Sequence, residues 1–226
     1  MKLIMSGCIA LVFTLCLQPT DNGKDDMVIA LPDPNTSGEI SLETTLQQRR
    51  SVREYTRELP GLEEVGQLAW AAQGITDPAR GFRTAPSAGA TFPIEIYLLI
   101  TGVDEMPDGI YRYDNKNHTL ELMQDGDRRA DLHQVALGQD PIIQAPVVMV
   151  ITGVLENTRQ RYGDRALRYM HMESGHVAQN VYLQGVALDI GTVVIGAFDD
   201  DGVREVLELD EGEHPLYIMP LGKTGP

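Results

Sequence analysis

Cysteine is nearly absent. The 226-residue chain has two, Cys8 and Cys16, both within its first sixteen positions. The body of the chain therefore has no thiol for a disulfide framework, a zinc knuckle or a covalent nucleophile. Cations are also scarce: 18 Lys and Arg stand against 33 Asp and Glu, a formal net charge of −15. Such a surface repels phosphodiester backbones and anionic lipid, which excludes nucleic acid and electrostatic membrane docking as partners. Aromatic residues make up 6%, with Trp70 the single tryptophan, so a stacking platform for single strands is missing. No Gly-x-Ser-x-Gly elbow occurs, so a serine hydrolase lacks its nucleophile. No strand is followed by Gly-x-Gly-x-x-Gly or by Gly-x-x-x-x-Gly-Lys-[Ser/Thr], which leaves a dinucleotide Rossmann site and a P-loop unsupported.

What is present fits a globular domain. Apolar residues make up 42% and charged residues 23%, enough for a core of ordinary size. The N-terminus, MKLIMSGCIALVFTLCLQPTDNGKDD, opens with Lys2 and continues with an apolar run of about fifteen residues, the size of a signal-peptide core. A comfortable membrane span needs about 20. Residues 1–26 are thus expected to be a signal peptide or membrane anchor plus linker, and 27–226 the folded domain. Export to the periplasm or envelope is the preferred localisation; the alternative is a cytoplasmic domain held by an N-terminal anchor. No twin-arginine signal is present in the leader.

Along the domain, IALPDPNTSGEI reads as an extended arm. Ser41 is a fit N-cap for a helix through Leu42 and Leu46. A second helical stripe runs through Leu62, Val65, Leu68 and Ala69 and stops at Gly74. IEIYLLIT reads as a strand, GIYRYDNKNHTLELMQ as a hairpin, RRADLHQVAL as a short helix and APVVMVIT as a buried strand. The longest helix signal spans Arg165 to Leu188. GTVVIGAF reads as a strand, DDDGVREVLEL as a helix and HPLYIMPLGK as a last strand. Helices and strands mix without strict β-α-β alternation, which favours α+β over a doubly wound sheet.

Four segments could carry chemistry. In QQRRSVREYT, three arginines and a serine fall within five positions, Arg49, Arg50, Ser51 and Arg53. Guanidinium forks and a hydroxyl satisfy phosphate oxygens well. The cluster nevertheless sits at a helix C-terminus, where the dipole opposes an anion and arginines serve as ordinary caps, so composition alone favours capping. The loop TAPSAGATFP has small side chains that permit close approach by a flat ligand, or simply lead into a strand. Glu173 and His176 form Glu-x-x-His on a helix, the spacing of di-iron carboxylate bundles, but no second pair accompanies them; a hydrogen-bonded helix interior, with Gln179 and Asn180, is the better reading. VVIGAFDDD offers a glycine whose turn could present backbone N–H groups to a ligand edge.

Taken in order, RRSVREY, AAQGIT, RTAPSAGATFPIEIYLL, GIYRYD, RYGDRALRYMHMESGHVAQNVYLQGVAL, GTVVIGAFDDDGVREVLEL and PLYIMPLGK resemble the nitroreductase superfamily over residues 40 to 224. The nearest branch is that of the SagB-type thiazole/oxazole (azoline) dehydrogenases. The resemblance implies a nitroreductase-like α+β fold: an antiparallel-rich mixed central sheet flanked by helices. It also implies a homodimer with non-covalent FMN at the interface. It assigns Arg49, Arg50, Ser51 and Arg53 to the FMN phosphate and ribityl chain, with Lys223 as a further cation. It lays Pro86, Ser87 and Ala88 against the flavin of the partner subunit and points the N–H groups of Gly196 and Ala197 at its reactive edge. The implied activity is that of an FMN-dependent oxidoreductase, passing hydride through flavin N5 from a reduced donor, NAD(P)H, to a small acceptor such as a nitroaromatic or quinone. Oxidation of an azoline in a modified peptide and non-catalytic flavin binding are the alternatives.

Two positions depart from the branch pattern. The Lys-Tyr acid/base pair of thiazole-forming enzymes is matched here by Arg161-Tyr162. Arginine stays protonated and shuttles protons poorly, which leaves Tyr162 as the candidate catalytic acid and favours a generic reductase. Asp189 stands where glycine is common in the family.

Overall fold

The apolar run Val147–Val154 occupies the middle of the molecule as strand β7. The computed structural model describes residues 27–104 and 106–225, so the leader expected at 1–26 lies outside the described residues. Around β7 stands one seven-stranded sheet. On one side come β4 (Ile94–Ile100), β5 (Gly109–Asp114), β6 (Thr119–Asp125) and the edge strand β1 (Val28–Ala30); on the other come β9 (Glu213–Lys223) and β8 (Ile190–Thr192). A separate two-stranded hairpin joins β2 (Ile75–Asp77) to β3 (Phe82–Arg83). The expected α+β class with a helix-flanked sheet is observed, and the sheet is more regular than the mixed one expected. Every ladder in it is antiparallel, and among the described residues the single parallel pairing is the isolated bridge between Ser51 and Thr192.

Helices cover both faces of this sheet, which is why β7 shows no polar alternation. Val147, Met149 and Ile151 enter one core layer; Val148 and Val150 enter the other. The first layer is closed by α2 (Leu62–Gln73) and α6 (Ala166–Ala187), through Val65, Leu68 and Ala72 and through Met170, Val177 and Val181. The second is closed by α3 (Arg129–Val135), α4 (Pro141–Gln144) and α7 (Asp200–Leu207), through Leu132, Ile142 and Val203. The short helix α1 (Leu42–Gln48) lies beside α6 and starts as expected: the Ser41 hydroxyl accepts the Thr44 N–H at 3.2 Å.

The end of α6 explains Asp189. The chain turns back so tightly that a Cβ on Gly185 would stand 2.6 Å from the Ile190 carbonyl oxygen. Asp189 takes the turn with φ 55°, left-handed backbone that glycine adopts freely, and its carbonyl accepts the Thr224 N–H at 2.9 Å.

One expectation is corrected, and two elements are added. GTVVIGAF is a ladder only through Thr192; beyond it one bridge, Ile195 to Ile218, continues the pairing. The polar segment LENTRQRY forms α5 (Leu155–Tyr162), which has no apolar stripe to announce it and buries only Thr158. The extended arm adds β1 to the sheet edge through its first residues.

Candidate functional site

The arginine-rich segment leaves α1 and runs across the glycines of β8 and β9. Val52 donates its N–H to the Thr192 carbonyl at 2.8 Å and packs on Gly191; Tyr55 packs on Gly222. The close approach needs glycine: a Cβ would meet Val52 at 2.7 Å and the Tyr55 ring at 2.5 Å. Tyr55 also donates to the Pro220 carbonyl at 3.3 Å, and burial pushes its phenol pKa upward.

The members of the cluster then separate by role. Arg50 folds back and donates to the carbonyls of Gln47 at 2.9 Å and Arg49 at 2.8 Å, which is helix capping. The Arg49 guanidinium stands 5.0 Å over the Tyr182 ring. The Ser51 hydroxyl lies 3.2 Å from the Tyr182 hydroxyl, which also accepts the Val194 N–H at 2.9 Å. Arg53 is exposed. Among the described residues, no ion pair involves Arg49, Arg50 or Arg53. Tyr182 joins the arginine segment to the turn two residues before Gly196. It carried no signal of its own in the sequence, because one tyrosine on a long amphipathic helix reads as packing.

Gly196 and Ala197 are both exposed, with Gln139 donating to the Ala197 carbonyl at 2.9 Å. Lys223 lies at the far end of β9 from this turn, opposite Ile190, and its ammonium is engaged: it pairs with Glu64 and donates to the Leu188 carbonyl at 3.1 Å. That contact closes the C-terminal end of α6, and the Lys223 side chain is only 13% exposed.

The second segment, Thr84 to Pro93, is gripped by α5 and α6. Thr91 and Thr158 hydroxyls meet at 2.9 Å, Arg161 donates to the Gly89 carbonyl at 3.0 Å, and Asn180 donates to the Thr84 carbonyl at 3.2 Å. The grip holds a strained backbone. Gly89, Ala90 and Phe92 have φ of 59°, 55° and 45°, and left-handed backbone costs about 1–2 kcal/mol for a residue with a side chain. Phe92 is held there by the Ser87 hydroxyl, which accepts its N–H at 2.8 Å, and by the Arg83 guanidinium 4.2 Å over its ring. A Cβ on Gly89 would come within 2.6 Å of the Tyr162 hydroxyl, so Tyr162 and Arg161 lie directly on the loop. Tyr162 is half-buried and stacks edge-on with Tyr169 at 4.8 Å.

Beneath this loop lies Glu173, 2% exposed. Neither of its carboxyl oxygens has a hydrogen-bond partner among the described residues. Burial pushes its pKa up to about 7, against the lowering influence of the Ser87 hydroxyl, the Ala88 N–H and Arg83 that face it. His176 is exposed while Glu173 is buried, so the two do not share a ligand position. Of the helix-interior group expected with them, Asn180 does hold the loop, while Gln179 is exposed.

The structure therefore brings Arg49, Ser51 and the Gly196 turn together around Tyr182, and Pro86, Ser87, Ala88 and Tyr162 together around Gly89 and Glu173. It does not merge the two groups. Tyr182 and Glu173 are nine residues apart on α6, roughly 13 Å along the axis and half a turn around it. A cleft of about 640 Å³ between the arm, α1, α2 and α6 is lined by Trp70, Gln67, Asn180 and Gln184, with Glu39 its one charged residue; it offers no cation to a phosphate.

Comparison with known proteins follows the same outline. A family model described as Nitroreductase family matches residues 46–223. A protein carrying the nitroreductase name MJ1384 in Methanocaldococcus jannaschii is 46% identical over 199 residues, covering 88% of this chain and 98% of the relative. The trifolitoxin operon protein TfxC of Rhizobium leguminosarum bv. trifolii is 27% identical over 192 residues, covering 78% of this chain and 54% of that protein, so the chain spans about half its length. A crystal structure named for a nitroreductase from Ralstonia eutropha JMP134 matches with a TM-score of 0.78 at 29% identity, covering 90% of this chain and 92% of the other.

Proposed function

The chain belongs to the nitroreductase family, and from that premise we propose that it is an FMN-dependent oxidoreductase moving hydride from NAD(P)H to a small acceptor such as a nitroaromatic or quinone. One observation carries the cofactor assignment. In a chain with a net charge of −15, Arg49 and Arg53 form no ion pair among the described residues and flank a serine hydroxyl at the protein surface. Unpaired guanidinium groups beside a hydroxyl fit a phosphate. In this reading Arg49, Ser51 and Arg53 hold the FMN phosphate. Arg50 neutralises the helix end beside it, and Lys223 contributes its charge from behind Glu64. The exposed N–H groups of Gly196 and Ala197 face the ring edge. When bound, the flavin supplies hydride transfer at N5, while the protein binds, orients and shields.

Because the Pro86–Ala88 loop lies half a turn around α6 from the arginines, the reading gives that loop to the flavin of a second copy. Exposed apolar residues on α1 and α6, Leu42 at 60%, Leu46 at 52% and Met172 at 55%, provide surface for a homodimer. Azoline oxidation is less well supported, because Arg161 is committed to the Gly89 carbonyl and cannot act as a proton shuttle. Tyr162, lying on the loop, remains the candidate proton donor.

The test is an absorbance spectrum of the purified protein. A bound flavin band that NADH or NADPH bleaches, and that menadione or a nitroaromatic restores, supports the proposal. Protein that cannot be reconstituted with FMN defeats it, and a flavin that neither nucleotide reduces shifts the balance to a binding protein. Arg53→Glu is expected to weaken FMN binding by at least about tenfold to a hundredfold, since a charge-assisted contact contributes about 1.5–3 kcal/mol. Retention at the original affinity would remove Arg53 from the site.

A further inference from the structure

Glu173 is a buried titratable group that the proposed reaction does not use. Its carboxyl is enclosed by α6 and the Thr84–Pro93 loop, and among the described residues both oxygens lack a hydrogen-bond partner. Two donors face it, and among the described residues neither donates elsewhere. The Ser87 hydroxyl oxygen is occupied by the Phe92 N–H, which leaves its hydrogen free. The Ala88 N–H faces the carboxyl as well. The charged group opposite is Arg83 of β3, which donates to Gln73 and lies over the Phe92 ring; the charge of Glu95 on β4 and the Tyr113 phenol on β5 act on it through space. From α6 itself, His171 and His176 are exposed and turn away. A buried carboxylate needs donors, and two idle donors stand against it.

We propose that Glu173 is a positioning residue for the Pro86–Ala88 loop: on losing its proton to solvent, the carboxylate accepts hydrogen bonds from the Ser87 hydroxyl and the Ala88 N–H and fixes the segment that faces the flavin. The acid form leaves the loop looser. The carboxylic O–H loses one proton, two hydrogen bonds form, and no other bond changes. Since burial pushes Glu173 up to about 7, the switch falls in the neutral range. The cofactor consequence rests on the functional reading above; the loop consequence does not.

Two measurements separate them. In cofactor-free protein, hydrogen exchange at the Ala88 amide, corrected for its intrinsic pH dependence, is expected to slow by about tenfold between pH 6 and pH 8. Glu173→Gln, which keeps the shape without the titration, should flatten the profile. Glu173→Asp should keep a titration but lose protection through its shorter reach. Flavin binding is then followed by fluorescence quenching at the same pH values. The ratio of the pH 6 to the pH 8 dissociation constant should be about tenfold larger in the wild type than in Glu173→Gln; the ionisation of the FMN phosphate is common to both and cancels. A wild-type exchange profile as flat as that of the glutamine variant overturns the proposal, as does an FMN ratio equal in the two proteins. An intact exchange switch in a protein that binds no FMN upholds the positioning role and sinks the functional reading instead.

Discussion

Removing the Glu173 charge should change how stability depends on pH. The carboxyl is 2% exposed and without hydrogen-bond partners among the described residues, and burial pushes its pKa up to about 7 where the ordinary value is 4.5. A raised carboxyl pKa means the folded state holds the proton more tightly than the unfolded chain. Its favourable contribution is therefore fully present below the ordinary value and is lost as pH rises through about 7. At about 1.4 kcal/mol per pH unit, the loss between pH 5 and pH 8 is about 2.5 kcal/mol. Glu95 and Glu213 are also raised, chiefly by burial, and add slopes of the same sign. They are present in both proteins and cancel when the wild type is compared with Glu173→Gln. The assay is urea unfolding of the cofactor-free protein at pH 5, 6, 7 and 8, at one protomer concentration because an oligomer's stability depends on it. The wild type should lose about 2.5 kcal/mol more than Glu173→Gln across that range. Parallel profiles, within about 0.5 kcal/mol, would refute the claim that burial raises the pKa of this carboxyl in the folded state.

Other positions give equally direct tests. Asp189→Gly should stabilise by about 0.5–1 kcal/mol, read as a higher denaturation midpoint, because φ 55° is strained for aspartate and free for glycine. Lys223→Met should cost about 2 kcal/mol in urea unfolding, since Glu64 and the Leu188 carbonyl both lose their donor; Glu64→Gln in the same chain should recover part of that cost. Gly222→Ala should cost about 1–3 kcal/mol and displace the Arg49–Arg53 segment, because the new Cβ would stand 2.5 Å from the Tyr55 ring; an unfolding midpoint equal to that of the wild type contradicts the packing described.

The elements legible in the sequence are those with a period or a cap. Ser41 announced α1, the Leu62–Ala69 stripe announced α2, and APVVMVIT announced the central strand. The segments that were missed lack such signals. LENTRQRY is polar on every side, so nothing distinguishes α5 from a loop until α6 is there to receive it. IGAF follows three paired residues, but β9 offers it only one further bridge, at Ile218. At the site, the arginines and the small-residue loop could be read directly because their composition is unusual. Tyr182 and the engagement of Lys223 by Glu64 could not, since each depends on a partner far away in sequence: Ser51 lies 131 residues from Tyr182, and Glu64 lies 159 from Lys223. Long-range side-chain pairs have no local periodicity to reveal them.

The helix-end objection to a phosphate at Arg49–Arg53 can now be weighed against geometry. A helix C-terminus presents unpaired carbonyls with partial negative charge, which repels an anion within the last turn. Here the last turn of α1 is covered from within the cluster: Arg50 donates to the Gln47 and Arg49 carbonyls, and the Arg49 N–H donates to Thr45. α1 is seven residues long, so its dipole is weak to begin with. Capping and anion binding are thus compatible readings of one motif, and on the proposed function they divide it. Arg50 cancels the local negative end, and that cancellation leaves Arg49, held over the Tyr182 ring, Ser51, joined to the Tyr182 hydroxyl, and the exposed Arg53 with net positive potential. A motif of one arginine and a serine at this helix end could not do both tasks. Three arginines in five positions can, which on the proposed function gives a physical reason for so much positive charge here in an otherwise acidic chain.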